Sequence, residues 1–230
     1  MQNKIICADC LDIIPGIEDK SIDILITDPP YKISTHGNGL AKDRKGWVND
    51  IRKDGIDVFD PIPFLEAIKP KLKLFHAYIF TSKSLLSTYI NWIEEQGYGW
   101  DMIIMAKSNP IPAKSNKYLN DKEYCLFIRE PGGCYFNNKA DYSLYYTVKQ
   151  TISKKPEYGH PTEKPLHIIA DFIKLSSRPG DLVFDPYLGS GTTAVASLLL
   201  QRNFLGIENK SKYVKIAKKR IDAHINDMFI

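Results

Sequence analysis

Residues 182–208 read LVFDPYLGSGTTAVASLLLQRNFLGIE. The apolar triplet Leu182-Val183-Phe184 has the length and composition of a buried strand. A glycine-rich turn follows it, then a helical run over Thr192 to Gln201, then a second apolar strand over Phe204 to Ile207. Strand, turn, helix and strand in this order form one unit of a mostly parallel α/β sheet with right-handed crossovers. Downstream, Ser211 caps a last helix whose Val214, Ala217, Ile221 and Ile225 fall on one face.

The alternation continues upstream. Pro165 to Ser176 reads as a helix with proline at its first position. Lys4 to Cys7 is a short strand. Ile22 to Thr27 (IDILIT) is a better one, and Asp28-Pro29-Pro30 ends it because proline cannot continue a central strand. Phe64 to Ile68 begins a helix, Phe75 to Phe80 is a strand, Leu85 to Gln96 is a helix, and Asp101 to Ala106 pairs with Glu123 to Arg129. Two stretches lack periodicity. Residues 32–60 read as a long loop of the functional or mobile kind, and residues 131–160 as an irregular insert. No repeat or break in composition divides the chain, so residues 1–230 are expected to form a single domain.

With 230 residues, 43% hydrophobic and 25% charged, the chain can bury a full core. Its net charge of +4 permits a nucleic-acid partner without requiring one. No start resembles an export signal and no apolar run could cross a bilayer, so a cytoplasmic protein without membrane contact is expected. Cys7 and Cys10 have C-x-x-C spacing. Cys125 and Cys134 supply no matching second pair, so no metal is expected.

Ligands of open α/β sheets bind beyond the carboxyl ends of the strands. Gly189 and Gly191 let a ligand approach the backbone there, and the helix after them offers free N–H groups. Glu208 ends the neighbouring strand and can accept hydrogen bonds from both hydroxyls of a ribose. Gly189-x-Gly191-x-x-Ala194 also satisfies a dinucleotide fingerprint, so a nicotinamide-dependent oxidoreductase stays open at this point. Asp185, just before the glycines, suits a cationic amino-acid moiety better than a pyrophosphate.

Asp28-Pro29-Pro30-Tyr31 follows strand IDILIT. The amino nitrogen of a nucleobase is a poor nucleophile because its lone pair is delocalised into the ring. Asp28 and the carbonyl of Pro29 can accept its protons and aim the lone pair outward. Two successive prolines stiffen the turn that holds these acceptors. Tyr31 offers a face on which an extruded base can stack.

Taken together, these motifs resemble those of the beta-class DNA amino-methyltransferases, in which the catalytic motif precedes the cofactor motif. Asp28-Pro29-Pro30-Tyr31 resembles the catalytic motif, and FDPYLGSGTT over Phe184 to Thr193 the cofactor motif. Ala8-Asp9-Cys10-Leu11 is similar to the segment near the cofactor adenine. His160-Pro161-Thr162-Glu163-Lys164-Pro165 is similar to the segment whose lysine meets the methionine carboxylate. Phe204 to Glu208 resembles the ribose-binding strand, and Asn109-Pro110 with Glu123 to Phe127 the strands behind the target-base pocket. The resemblance implies a permuted Rossmann-like methyltransferase fold with a seven-stranded sheet, one antiparallel edge strand and helices on both faces. It implies S-adenosyl-L-methionine as cofactor and duplex DNA with a flipped base as substrate. Ala8, Asp9, Cys10, His160, Lys164, Asp185, Tyr187, Gly189, Ser190, Gly191, Thr192 and Glu208 are the cofactor-site candidates. Tyr187 stands where the family usually has Phe, which is expected to add a hydroxyl near the sulfonium. Aspartate rather than serine at position 28 favours adenine N6 over cytosine N4, the nearest alternative. The resemblance leaves room for a homodimer and for a cognate restriction enzyme.

Lys42, Arg44 and Lys45 flank the catalytic turn, and Lys107, Asn109 and Lys114 lie on another strand-end loop; these are candidate DNA contacts. Lys212, Lys215 and Lys219 on the last helix read as a solvated face. A non-catalytic DNA-binding module is the remaining alternative, and the intact acceptors at Asp28 argue against it.

Overall fold

The structure, a computed structural model, describes residues 2–30, 59–110, 118–137, 143–148 and 163–227. Its strands are β1 (Lys4–Ile6), β2 (Ile24–Thr27), β3 (His76–Thr81), β4 (Gly99–Lys107), β5 (Lys122–Arg129), β6 (Tyr145–Val148), β7 (Leu182–Asp185) and β8 (Asn203–Ile207). The helices are α1 (Cys10–Ile13), α2 (Pro61–Ile68), α3 (Leu86–Glu95), α4 (Leu166–Ser176), α5 (Thr192–Leu199) and α6 (Ser211–Asp227). Every residue of β2, β3 and β7 is buried, as expected of strands covered on both faces. No described helix is long and apolar enough to cross a membrane.

The strands form one sheet in the order β1-β8-β7-β2-β3-β5-β4-β6. Two details depart from the expected sheet. Eight strands are present among the described residues rather than seven, and the antiparallel strand is not at an edge. β5 turns back from β4 and inserts between β3 and β4, antiparallel to both and hydrogen-bonded on both sides. The eighth strand, β6, runs parallel to β4 along the outer edge and lies within the stretch read as irregular. Its four residues, Tyr145-Tyr146-Thr147-Val148, are β-formers, but they are too few to show a period.

Side-chain alternation along β3 divides the core. Ala77 and Ile79 point to one face, against Phe64, Leu65 and Ile68 of α2 and Tyr89, Trp92 and Ile93 of α3. Tyr78 and Phe80 point to the other, against Ile168, Ile169, Phe172 and Ile173 of α4. Tyr78 stacks on Phe172 with ring centroids 4.2 Å apart, and its hydroxyl lies 2.8 Å from Ser176 Oγ. α5 and α6 pack against each other through Ala194, Val195, Ala217 and Ile221.

This order positions the site. From β2 the chain proceeds to β3 on one side; from β7 it proceeds to β8 on the other. The boundary between β7 and β2 is therefore a topological switch point, where a crevice opens beyond the strand ends. The two strands are parallel neighbours, in register at Ile24↔Val183 and Leu25↔Phe184, so the turns after Thr27 and after Asp185 leave the sheet side by side.

Candidate active site

Asp185 joins the two turns. Its Oδ1 accepts the Thr27 hydroxyl at 3.0 Å and the Tyr187 N–H at 3.1 Å, and its Oδ2 accepts the Thr193 hydroxyl at 2.7 Å. The residue is 5% exposed, and burial outweighs these bonds, pushing its carboxyl up to about 7. Both oxygens that the sequence reading offered to a cationic ligand already accept protein donors. Asp185 thus fixes the strand end, the turn and the start of α5 relative to one another.

The glycine turn depends on left-handed backbone at Gly189 (φ 53) and Gly191 (φ 85). A Cβ on Gly191 would lie 2.8 Å from Ala217 Cβ, so α6 closes directly over the turn. Leu188 donates its N–H to Ile207 O at 2.9 Å, bringing the turn against the end of β8. There Glu208, 8% exposed, accepts the Gly189 N–H on Oε2 at 3.0 Å and the Lys210 N–H on Oε1 at 2.8 Å. Burial raises its carboxyl above the usual range despite these bonds. Each oxygen keeps a further lone pair. Sequence reasoning placed Glu208 beside the glycines, and the structure brings them together.

The N-terminal segment reaches the same place. Glu208 donates its N–H to Ile6 O at 3.0 Å, and Ala8 donates its own to Glu208 O at 3.2 Å. Asp9 caps α1, its Oδ1 accepting the Leu11 N–H at 2.9 Å. Cys10 follows, buried beside Tyr187. Burial, partly offset by the neighbouring Tyr187 hydroxyl, pushes the thiol up to about 11. A thiol held protonated is the opposite of a metal-binding or redox-active thiolate. Tyr187 sits edge-on to Phe59 and Phe64, at 6.0 and 5.6 Å between centroids. Burial first, then the neighbouring Cys10, raises its hydroxyl above the usual range.

Asp28 stands on the opposite wall. Its Oδ2 lies 2.5 Å from Lys164 Nζ, while Oδ1 is buried with no hydrogen-bond partner. Burial raises its carboxyl, and the Lys164 ammonium opposes that rise. Lys164 also lies 4.8 Å from the centre of the Phe80 ring and 3.8 Å from Glu123 Oε2. Pro29 is buried after Asp28. One cleft is lined by Thr27 and Asp28, by Tyr187, Gly189, Ser190 and Thr192, and by Lys164 between the two turns.

The sequence offered no role for one residue of this site and only a place in a supporting strand for another. Arg220 of α6 is 3% exposed. Its Nη1 donates to Ser190 O at 3.2 Å, Ser190 Oγ at 2.9 Å and Thr192 Oγ1 at 3.0 Å. Its Nη2 lies 2.8 Å from Glu163 Oε1, so one guanidinium fastens the glycine turn to the residue beside Lys164. The signal was present: Arg220 stands next to apolar Ala217 and Ile221 positions rather than among the lysines of the outer face. Glu123, at the start of β5, is the second. It takes the Lys107 ammonium at 2.9 Å, and the Lys107 side chain is 13% exposed. Lys107 is therefore turned inward onto a carboxylate. Asn109 follows β4 at the same sheet edge, half-buried. Tyr31, His160, Lys42, Arg44, Lys45 and Lys114 lie outside the described residues, as do most of the segments 32–60 and 131–160. Among the described residues, no group of three His, Cys, Asp or Glu side chains is placed to hold a metal.

A family model described as DNA methylase matches residues 22–219. The Type II methyltransferase M2.DpnII of Streptococcus pneumoniae is 30% identical, covering 96% of this chain and 91% of that protein. The Type II methyltransferase M.HinfI of Haemophilus influenzae is 28% identical, covering 95% of this chain and 68% of that protein. The crystal structure of the M1.HpyAVI–SAM complex is 29% identical with a TM-score of 0.71, covering 94% of this chain and 98% of that one. The cytosine-N4-specific PvuII DNA methyltransferase, at 15% identity, shares the fold with a TM-score of 0.72 over 97% of this chain and 91% of that one. A match that runs from the strand before Asp28 through the glycine turn into the last helix leaves no room for the nicotinamide alternative, and the chain belongs to the DNA methylase family.

Proposed function

We propose that this protein transfers a methyl group from S-adenosylmethionine to N6 of adenine in a short duplex DNA sequence, acting on a base flipped out of the helix. The observation that carries the reading is Asp28 on one cleft with the glycine turn, its Oδ2 on Lys164 and its buried Oδ1 without a protein partner. Leaving a buried acceptor unpaired costs about 1–3 kcal/mol, which an incoming N–H donor recovers.

The residues present fit the cofactor. Glu208 retains lone pairs on both oxygens for ribose hydroxyls, and Ala8 and Asp9 lie beside it. The Lys164 ammonium is a cation within the cleft that can meet a carboxylate. S-adenosylmethionine supplies a methyl group already activated by its sulfonium. Asp28 Oδ1 and the Pro29 carbonyl accept the protons of the target amino group and turn its lone pair toward the glycine turn. Once the nitrogen carries the methyl group it sheds one proton, and Asp28, its carboxyl raised by burial, is placed to take it. Asp185 and Arg220 hold the wall against which this occurs. Aspartate at position 28 supports adenine as the target; a cognate restriction enzyme belongs to the same reading, given the Type II names of the relatives.

Asp28→Ala tests the assignment. Transfer to DNA is expected to fall by about 100- to 1000-fold, as when one preorganised hydrogen-bonding group is removed from an active site. Calorimetric titration with S-adenosylmethionine is expected to show binding retained. Lost cofactor binding in a normally folded variant would place Asp28 in the cofactor site instead.

A further inference from the structure

We propose that Glu123 is a positioning residue for methyl transfer, holding the Lys164 ammonium in the cleft and receiving it when the target amino group occupies Asp28. The inference rests on the reading of Asp28 as the amino-group acceptor.

Four charges alternate along one line. Lys107 Nζ lies 2.9 Å from Glu123 Oε1, Lys164 Nζ lies 3.8 Å from Glu123 Oε2, and Lys164 Nζ lies 2.5 Å from Asp28 Oδ2. The line crosses elements distant in sequence: the end of β4, the start of β5, the segment before α4 and the turn after β2. It exists because β5 is inserted into the sheet. Pairing of Thr81 with Tyr124 sets Glu123 at the same edge as the strand ends that carry the cleft.

The spacing within the line is unequal. At 3.8 Å, Lys164 and Glu123 form an ion pair but not a hydrogen bond. An ammonium on a flexible stem can change carboxylates by a small rotation. The ring of Phe80 lies 4.8 Å from the ammonium and favours a cation on either side of that movement. An entering amino group brings N–H donors to a carboxylate whose Oδ2 is already engaged. Displaced from Asp28, the buried ammonium loses its nearest protein anion. With Glu123 present the ammonium keeps a partner throughout. Burial works against an ionised Glu123, but Lys164 and Lys107 outweigh it and hold the carboxyl below its usual range. Glu123 therefore stays charged while Asp28 is shifted the other way.

The groups that face Asp28 are Lys164, Glu123, Tyr89 of α3, Cys125 of β5 and Asp185 of β7. Activity requires ionised Asp28, so its titration sets an acidic limb of the pH profile. Glu123→Gln removes a negative charge that disfavours that ionisation, so Asp28 is expected to titrate at lower pH. Lys107→Met leaves Glu123 uncompensated and drawing harder on Lys164, so Asp28 is expected to titrate at higher pH.

The experiment is a carbon-13 carboxyl NMR titration of Asp28 in the ligand-free protein, alongside kcat against pH. Opposite displacements, each on the order of one pH unit, are expected for the two variants. The kcat of Glu123→Gln is expected to fall about 10- to 100-fold, with Glu123→Asp recovering part of it and cofactor affinity preserved. Displacements of the same sign, or none in either variant, would overturn the proposal, and either variant alone decides the sign if the other fails to fold. The NMR result does not depend on catalysis. An active Asp28→Ala would therefore defeat the acceptor reading, while an unmoved Asp28 titration would defeat the role of Glu123.

Discussion

Replacing Gly191 by alanine imposes two separable costs. At φ 85 the residue is left-handed, a conformation that costs an L-residue about 1–2 kcal/mol. The added methyl would also lie 2.8 Å from Ala217 Cβ and 3.1 Å from Ala217 Cα. The second atom is helix backbone, which cannot rotate away, so α6 must shift; overpacking of this kind costs about 1–3 kcal/mol. The sum is about 2–5 kcal/mol, which for a domain of this size lowers Tm by roughly 5–20 °C. Two other glycines separate the contributions. Gly180 has φ 89, and a methyl added there would meet nothing within 4 Å, so Gly180→Ala reports the backbone cost alone, about 1–2 kcal/mol. Gly16 has open space and no left-handed backbone, so Gly16→Ala is expected to be neutral or stabilising by up to about 1 kcal/mol. Urea denaturation of the three variants with a common m value gives the comparison. Because α6 also carries Arg220, the displaced helix is expected to weaken cofactor binding in Gly191→Ala only. If Gly191→Ala and Gly180→Ala lose the same stability, α6 does not press on the turn and the reasoning fails.

Two further outcomes follow from buried groups. Asp185 has a folded-state carboxyl near 7 against 3.8 for the free group, so the folded state binds the proton more tightly. Its contribution to stability is then largest below about pH 4 and is lost as pH rises toward 7, amounting to a few kcal/mol. Asp185→Asn keeps the shape without the charge, so Tm of the variant relative to the parent should climb between pH 4 and 7; a flat difference would show that the carboxyl is not raised. Tyr187→Phe removes a hydroxyl that neighbours the Cys10 thiol and is expected to cost about 0.5–1.5 kcal/mol by denaturant unfolding. Combined with Cys10→Ala the losses should be less than additive, and strict additivity would mean the two groups do not interact.

Much of this site was legible because its chemistry sits where strands end. Asp28-Pro29-Pro30 and the Gly189–Gly191 turn interrupt apolar runs, and in a parallel sheet such interruptions converge on one edge. Glu208 could be placed for the same reason, one helix after the glycines. What escaped depends on partners far apart in the chain. Arg220 was hidden on a helix rich in lysine, and its burial is decided by the turn it grips, 28–30 residues earlier. The pairing of Lys107, a candidate DNA contact, escaped because nothing local reveals that β5 inserts beside β4 and lays Glu123 against it. The interior position of β5 and the short edge strand β6 are likewise set by pairing, which a one-dimensional pattern does not encode. The neighbours of the Tyr187 ring, Phe59 and Phe64, also come from a distant stretch of the chain.

Incubating the purified protein with duplex DNA and methyl-labelled S-adenosylmethionine, digesting the DNA and identifying the labelled nucleoside by mass tests the account most directly. Label in N6-methyldeoxyadenosine is the expected result, accumulating at least about 100-fold more slowly with the Asp28→Ala protein. Label in N4-methyldeoxycytidine would move the target to the other exocyclic amine. A folded, cofactor-bound protein that labels no base across a mixed genomic DNA would contradict the claim that the turn at Asp28 and the glycine turn work as one site.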